Sequence, residues 1–234
     1  MKTDTLKIVV FCDFDGTVTC RDSCDDFFRR FGEFDIHYAC LAAGQINVAE
    51  YYRRVCASLP EDLSNESVEQ FATDCEVDAY FGEFVRFCRD KSLPLIVVSD
   101  GFDRYIYPIL RQIGEKVEVK CNILNGSQPV FPGASESCQC FCASCKRNVL
   151  LGISDDTLTV YIGDGLSDIC AVEYADVVFA KGVLAAHCNK HKIPHHPFRT
   201  FADVLHILRK HFENKTIRRR RQAELKRLAA FEAE

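Results

Sequence analysis

After Lys7 the chain runs apolar without interruption from Ile8 to Cys12, the pattern of a strand buried on both faces in a parallel sheet. Leu93 to Val98, Leu158 to Ile162 and the short Val177 to Ala180 repeat that pattern. The intervening segments carry a helical period. Cys20 to Phe31 has Phe27, Phe28 and Phe31 at helical spacing, an acidic start and a basic end that suit a helix dipole. Helices are also predicted over Ala49 to Leu59 and Ser67 to Cys75, and no strand pattern interrupts residues 20–75. Asp78 to Lys91 reads as an amphipathic helix carrying Phe81, Phe84, Val85 and Cys88, and a later helix carries Tyr105, Ile106, Ile109 and Leu110. Val117 to Leu124 alternates and meets the hairpin signal Asn125-Gly126. Shorter helices are expected from Lys146 to Leu151, Val183 to Lys190 and Phe201 to Phe212. Strands alternating with helices predict an α/β fold, a Rossmann-like parallel sheet with helices on both faces. The helical stretch after the first strand reads as an insert. The expected organisation is a core from residues 1–18 and 80–213, a helical cap from 19–79 and a charged C-terminal extension over 214–234.

Composition narrows the class. At 234 residues and 47% hydrophobic content the chain can bury a large core. A net charge of −5 argues against nucleic acid as the main partner. No apolar run approaches the ~20 residues of a membrane span. The N-terminal stretch leads into a strand rather than a secretory apolar region, so a cytoplasmic location is expected. Fourteen cysteines are scattered over a chain too long for a small disulfide scaffold. Cys12, Cys88 and Cys170 sit in apolar patterns and read as small buried hydrophobes. Arg218 to Arg221 open a basic tail, read as a solvated helical extension that frays rather than as a surface for RNA or an acidic partner.

The candidate chemistry sits at the strand ends. The first strand delivers Asp13-Phe14-Asp15-Gly16-Thr17, two carboxylates one residue apart followed by a glycine and a hydroxyl. Two acids at the end of a core strand repel each other and lose hydration, so something must neutralise them. A divalent cation is the simplest candidate, and hard oxygen ligands favour Mg²⁺. A solvated acidic turn is the other reading of a lone pair at this spacing. The glycine implies that the chain already turns there, leaving Asp13 to face the ion and Asp15 for proton transfer. The second strand ends in Ser99-Asp100-Gly101 and the third in Gly163-Asp164-Gly165, with Asp168 close behind. Ligands of open α/β sheets bind at the carboxyl ends of strands, so these segments are expected to meet. Lys146, one short helix before the third strand, is placed to join them. Carboxylates, one lysine, Ser99 and the backbone of Phe14 and Gly101 suit a phosphoryl group. No GxxxxGK[ST] loop is present to cradle a nucleotide.

Asp13-Phe14-Asp15-Gly16-Thr17-Val18-Thr19, Ser99, Lys146 and Gly163-Asp164-Gly165-Leu166-Ser167-Asp168 resemble, in order, the four motifs of the haloacid dehalogenase (HAD) superfamily. The match spans roughly residues 7–212, and the insert resembles the C1-type cap of the phosphoserine phosphatase-like branch. This resemblance implies a phosphatase in which Asp13 attacks phosphorus to form an aspartyl-phosphate. Asp15 would protonate the leaving oxygen and then deprotonate water. Mg²⁺ would be held by Asp13, the Asp15 carbonyl and Asp164, with Asp168 orienting a metal-bound water or Lys146. Thr17 would support the loop, while Ser99, Asp100 and Gly101 would lie at the phosphate.

Within that branch the chain is most similar to the MtnX-type phosphatases, which act on 2-hydroxy-3-keto-5-methylthiopentenyl-1-phosphate in methionine salvage. Asp22 soon after the first motif, the run Asp100 to Pro108 and the cysteines abutting Lys146 carry this likeness. Asp22 reads equally as the start of a helix or as a substrate contact from the cap. A different small phosphate ester, such as phosphoserine, is the enzyme alternative. A non-catalytic binding module using the arginine-rich tail is the alternative of another class, and the intact acid set argues against it. Cys138, Cys140, Cys142 and Cys145 are competent thiolate ligands for structural zinc, but they also suit a redox-sensitive loop or free thiols. His187, His191, His195 and His196 near Cys188 read as surface histidines.

Overall fold

The computed structural model describes residues 7–134, 142–153 and 157–232. Its elements in chain order are β1 (Ile8–Cys12), α1 (Ser23–Phe31), α2 (Phe34–Ala42), α3 (Val48–Ala57), α4 (Asn65–Asp74), α5 (Phe81–Asp90), β2 (Leu95–Phe102) and α6 (Asp103–Arg111). There follow β3 (Glu118–Asn125), β4 (Gln128–Val130), α7 (Lys146–Leu151), β5 (Leu158–Gly163), α8 (Ile169–Val172), β6 (Val177–Ala180), α9 (Gly182–Lys190), β7 (His196–Pro197), α10 (Phe201–Asn214) and α11 (Arg221–Glu232). Seven strands form one sheet in the order β4-β3-β2-β1-β5-β6-β7. All pairings are parallel except the β3–β4 hairpin.

β1 lies in the middle, paired with β2 through Val10–Leu95 and with β5 through Val10–Val160. The chain therefore changes direction of winding at β1, the position at which open α/β sheets place a ligand. One face of the sheet buries Val10, Cys12, Val97, Phe102, Val160 and Ile162, together with Phe81, Phe84 and Phe201. The other buries Phe11, Val98, Tyr161 and Val178 against Ala171, Val172 and Leu184.

The four helices α1–α4 fall between β1 and α5, as the insert predicted. An antiparallel bridge between Thr19 and Val77 draws the two ends of the insert together. Phe27 and Phe28 of α1 pack against Tyr105 of α6 and Phe102 of β2, at ring separations of 5.2 and 5.8 Å, so the insert shares an apolar cluster with the sheet. Among the described residues, no helix is long and apolar enough to cross a membrane.

The basic tail departs from its expected frayed, solvated state. α11 docks on the core through arginines rather than leucines. Arg227 is buried and makes an ion pair of 3.0 Å with Asp176, which is itself fully buried, and donates to the Tyr174 carbonyl at 2.5 Å. Arg220 donates to the carbonyls of Val172 and Glu173, and its amide reaches Asp176. Arg221 pairs with Glu224, so these arginines of the tail are spent within the chain. Arg227→Ala strips Asp176 of its cation while leaving the carboxylate buried, and is expected to cost about 3 kcal/mol. A lowered urea midpoint with an unchanged slope is the readout, and an unshifted midpoint would mean that α11 is not held by this pair.

Candidate active site

β1 ends in a tight crossover that aims two aspartates differently. The Asp13 amide continues the ladder by donating to the Ile162 carbonyl of β5 at 2.9 Å. The chain then folds back, and the amides of Thr17, Val18 and Thr19 all donate to the Phe14 carbonyl. Gly16 takes a φ of +75°, and a Cβ there would lie 2.7 Å from an Asp164 carboxylate oxygen, so only glycine lets the two loops approach. Thr19 Oγ1 locks the turn, accepting from the Gly16 amide and donating to the Arg21 carbonyl.

Three strand ends and one helix start converge, as the sheet topology demands. The carboxylates of Asp13, Asp164 and Asp168 present oxygens within 4.8 Å of one another. Lys146, the first residue of α7, is buried between them, with Nζ 2.5 Å from Asp13 Oδ1 and 2.6 Å from Asp168 Oδ1. Asp168 is saturated: Oδ1 also accepts from the Tyr161 hydroxyl at 2.6 Å, and Oδ2 accepts the amides of Asp164 and Gly165. Its task is to hold Lys146 and the Asp164 loop. Thr17 Oγ1 donates to Asp164 Oδ1 at 2.7 Å.

Burial works to lower the Lys146 pKa, but the carboxylates of Asp13 and Asp168 outweigh it and hold the ammonium charged. Burial raises the Asp13 pKa, with Asp168 adding to the rise and Lys146 opposing it. Asp164 is pushed up by burial and by Asp168. Three carboxylates around one ammonium leave an excess of two negative charges in a desolvated site. A divalent cation is the charge that this donor set fits. Asp13 and Asp164 have oxygens to offer it, whereas those of Asp168 are already engaged.

Asp15 meets a different environment. Its Oδ1 accepts from Ser23 Oγ at 2.6 Å and from the Tyr105 hydroxyl at 2.9 Å, and its Oδ2 accepts from Ser99 Oγ at 2.8 Å. No cation touches it among the described residues. Burial, with the charge of Asp22, raises its pKa to about 7 against the pull of these three hydroxyls. Ser99 in turn accepts the Gly101 amide. Gly101 must be glycine, because a Cβ would overlap the Tyr105 hydroxyl and sit 2.7 Å from Asp15 Oδ2.

These groups open into a cavity of about 390 Å³ between the strand ends and the insert. Asp13, Asp15, Gly101, Lys146 and Asp164 form its floor, and Asp22, Asp25, Leu41, Val48 and Tyr51 come from the insert. Asp22 caps α1 through the Asp25 amide, and it also lines the cavity. Asp100 lines the same cavity, but its carboxylate is turned to the protein. Its carboxylate accepts the amides of Ala143 and Ser144 and the Asn122 side chain, so it anchors the loop that delivers Lys146. Phe14 is wholly buried. Of the cysteine cluster, Cys138 and Cys140 lie outside the described residues. Among the described residues the metal-competent clustering is that of the three aspartates, and neither Cys142 nor Cys145 belongs to it. Ser23, Tyr105 and Tyr161 were not singled out as site residues from sequence, although each touches a site carboxylate. Ser23 carried one usable signal, a hydroxyl directly after a helix-capping aspartate.

A buried parallel sheet with acidic strand ends, one lysine and a helical insert after β1 suits a hydrolase that handles phosphate esters. The family model for haloacid dehalogenase-like hydrolases matches residues 10–173. The chain belongs to that family. A protein of Geobacillus kaustophilus (strain HTA426) named 2-hydroxy-3-keto-5-methylthiopentenyl-1-phosphate phosphatase is 32% identical over 214 residues, covering 88% of this chain and 97% of that one. A protein of Bacillus mycoides (strain KBAB4) with the same name is 30% identical over 218 residues, covering 90% of this chain and 100% of the other. Among solved structures, a phospho-aspartyl intermediate analogue of phosphoserine phosphatase superposes with a TM-score of 0.63 at 21% identity, over 86% of this chain and 98% of that one. That likeness is one of fold.

Proposed function

We propose that this chain is a magnesium-dependent phosphomonoester hydrolase acting through an aspartyl-phosphate on Asp13. The physiological substrate inferred is 2-hydroxy-3-keto-5-methylthiopentenyl-1-phosphate, in the methionine salvage sequence of reactions. One observation carries the reaction type: two aspartates two residues apart have opposite surroundings, Asp13 against Lys146 and Asp15 against three hydroxyls. The named relatives at about a third identity over nearly the whole chain support the substrate.

In this reading Asp13 is the nucleophile. Lys146 fixes Asp13 Oδ1, which leaves the other oxygen to attack phosphorus as the bond to the leaving oxygen breaks. Asp15, with a pKa near 7, gives its proton to that leaving oxygen. A water then attacks the phosphorus of the acyl phosphate, Asp15 takes back a proton, and Asp13 leaves as a carboxylate with release of phosphate. Asp13, Asp164 and the Asp15 carbonyl would hold Mg²⁺, which when bound supplies positive charge to the phosphoryl oxygens. Asp168 positions Lys146, and Thr17 positions Asp164. Residues 19–79 serve as the cap that excludes water, on a core of 1–18 and 80–213. The setting of the reaction is cytoplasmic.

A binding module working through the arginine-rich tail is disfavoured by the engagement of Arg220, Arg221 and Arg227 with the core or with one another's neighbours. The test is hydrolysis of p-nitrophenyl phosphate with Mg²⁺ and with EDTA. Chelation is expected to lower the rate by at least about 100-fold, restored by added Mg²⁺. Activity that persists in EDTA would reject the mechanism.

A further inference from the structure

Tyr51 of α3 lines the active-site cavity, yet its hydroxyl is buried and has no hydrogen-bond partner among the described residues. The whole residue is 4% exposed. An unpaired buried hydroxyl costs free energy unless a bound molecule completes it, which marks Tyr51 as a group waiting for a ligand atom. Burial, and then the neighbouring Cys24, Asp25 and Asp22, push its pKa up, so the hydroxyl stays neutral and able to donate.

The charge around it limits what that ligand is. Among the described residues lining the cavity, Lys146 is the only cationic side chain, and it is committed to Asp13 and Asp168. The insert contributes Asp22 and Asp25 to the same walls. Asp25 pairs with Arg29 at 3.2 Å, but Arg29 does not line the cavity, and Asp22 accepts the Asp25 amide, so the insert's walls present negative charge and no cation. A carboxylate on the leaving group would find no cation and two like charges, whereas a carbonyl or hydroxyl oxygen would find Tyr51. Val48 of the insert and Leu166, which is 47% exposed, add apolar wall.

Resting on the phosphatase reading above and going beyond it, we propose that Tyr51 is the cap residue that recognises the leaving group. It donates to a carbonyl or hydroxyl oxygen of an uncharged leaving group, and Asp22 and Asp25 exclude phosphate esters that carry a carboxylate. Phosphoserine-type substrates are rejected on this ground.

The test compares dihydroxyacetone phosphate, 3-phosphoglycerate and p-nitrophenyl phosphate as substrates of the Mg²⁺-loaded protein. Wild type is expected to prefer dihydroxyacetone phosphate over 3-phosphoglycerate by at least about tenfold in kcat/KM. Tyr51→Phe, which removes one oxygen, is expected to lower the ratio of kcat/KM for dihydroxyacetone phosphate over p-nitrophenyl phosphate by about three- to tenfold, through KM. Its melting temperature is expected to stay level or rise, because no hydrogen bond inside the protein is lost. The double variant Asp22→Asn and Asp25→Asn, which keeps a capping oxygen at position 22, is expected to narrow the discrimination against 3-phosphoglycerate. Unchanged ratios in Tyr51→Phe, or equal use of both three-carbon esters by wild type, would overturn the proposal while leaving the phosphatase reading intact. Failure of wild type to hydrolyse p-nitrophenyl phosphate would overturn that reading, and this proposal with it.

Discussion

Asp13→Asn is expected to lower kcat for every phosphate ester by on the order of 10⁴-fold or more, because an amide oxygen does not displace an alkoxide from phosphorus. The loss should not come from unfolding. An asparagine oriented with its oxygen toward Lys146 keeps the contact that Asp13 Oδ1 makes at 2.5 Å. It also removes one of three crowded carboxylates, whose mutual repulsion and burial raise the Asp13 pKa. In metal-free protein the variant is therefore expected to melt no lower than wild type, which separates lost chemistry from lost structure. Steady-state rates on p-nitrophenyl phosphate, read beside a thermal melt and the mass of acid-quenched enzyme, decide it. Wild type should carry a phosphoryl adduct on the peptide containing Asp13, and the variant none. Retention of activity within a hundredfold of wild type, or an adduct elsewhere, would move the nucleophile to another residue.

What sequence made legible follows from what chemistry and burial impose. β1, β2, β5 and β6 are buried on both faces, so their apolar runs announce them, and the reactive residues follow at their carboxyl ends because the sheet leaves a ligand nowhere else. α2 escaped because Phe34, Ile36, Tyr38, Cys40 and Leu41 put apolar atoms all round the helix and leave no single stripe. β7 is two residues long, too short for any period. α11 was misread since charge density argues for solvent, whereas arginine forks reach buried carbonyls and Asp176 while their stems pack.

At the site, acids and the lysine stood out because buried charge is rarely placed without purpose. Tyr105, Tyr161 and Tyr51 did not, since a tyrosine in an apolar stripe looks like core until its hydroxyl is located. Asp100 shows the converse. An acid beside Ser99 reads from sequence as a phosphate contact, and only coordinates place its carboxylate on the amides of residues 143 and 144. That placement still bears on function, because those amides precede Lys146 and fix where α7 begins.

Asp15→Asn is expected to separate the two chemical steps that this carboxyl serves. An alkyl phosphate needs a proton on its leaving oxygen, so removing the acid should lower kcat by on the order of 10³-fold. Nitrophenolate leaves without a proton, so p-nitrophenyl phosphate should still phosphorylate Asp13 in the variant. Hydrolysis of that acyl phosphate also needs Asp15, now as base. The expected trace is a burst of about one nitrophenolate per enzyme followed by slow turnover. The pH dependence has a definite sign. Burial favours the neutral acid and raises its pKa to about 7, so the proton is present below that value and lost above it. Phosphorylation by alkyl esters in wild type should therefore decline as pH rises through about 7. Phosphorylation by p-nitrophenyl phosphate should lack that decline. Ser99→Ala and Tyr105→Phe remove hydroxyls that favour the ionised form, so each should carry the decline to higher pH. A decline common to both ester classes, or a variant with no burst and full turnover, would show that the proton comes from elsewhere.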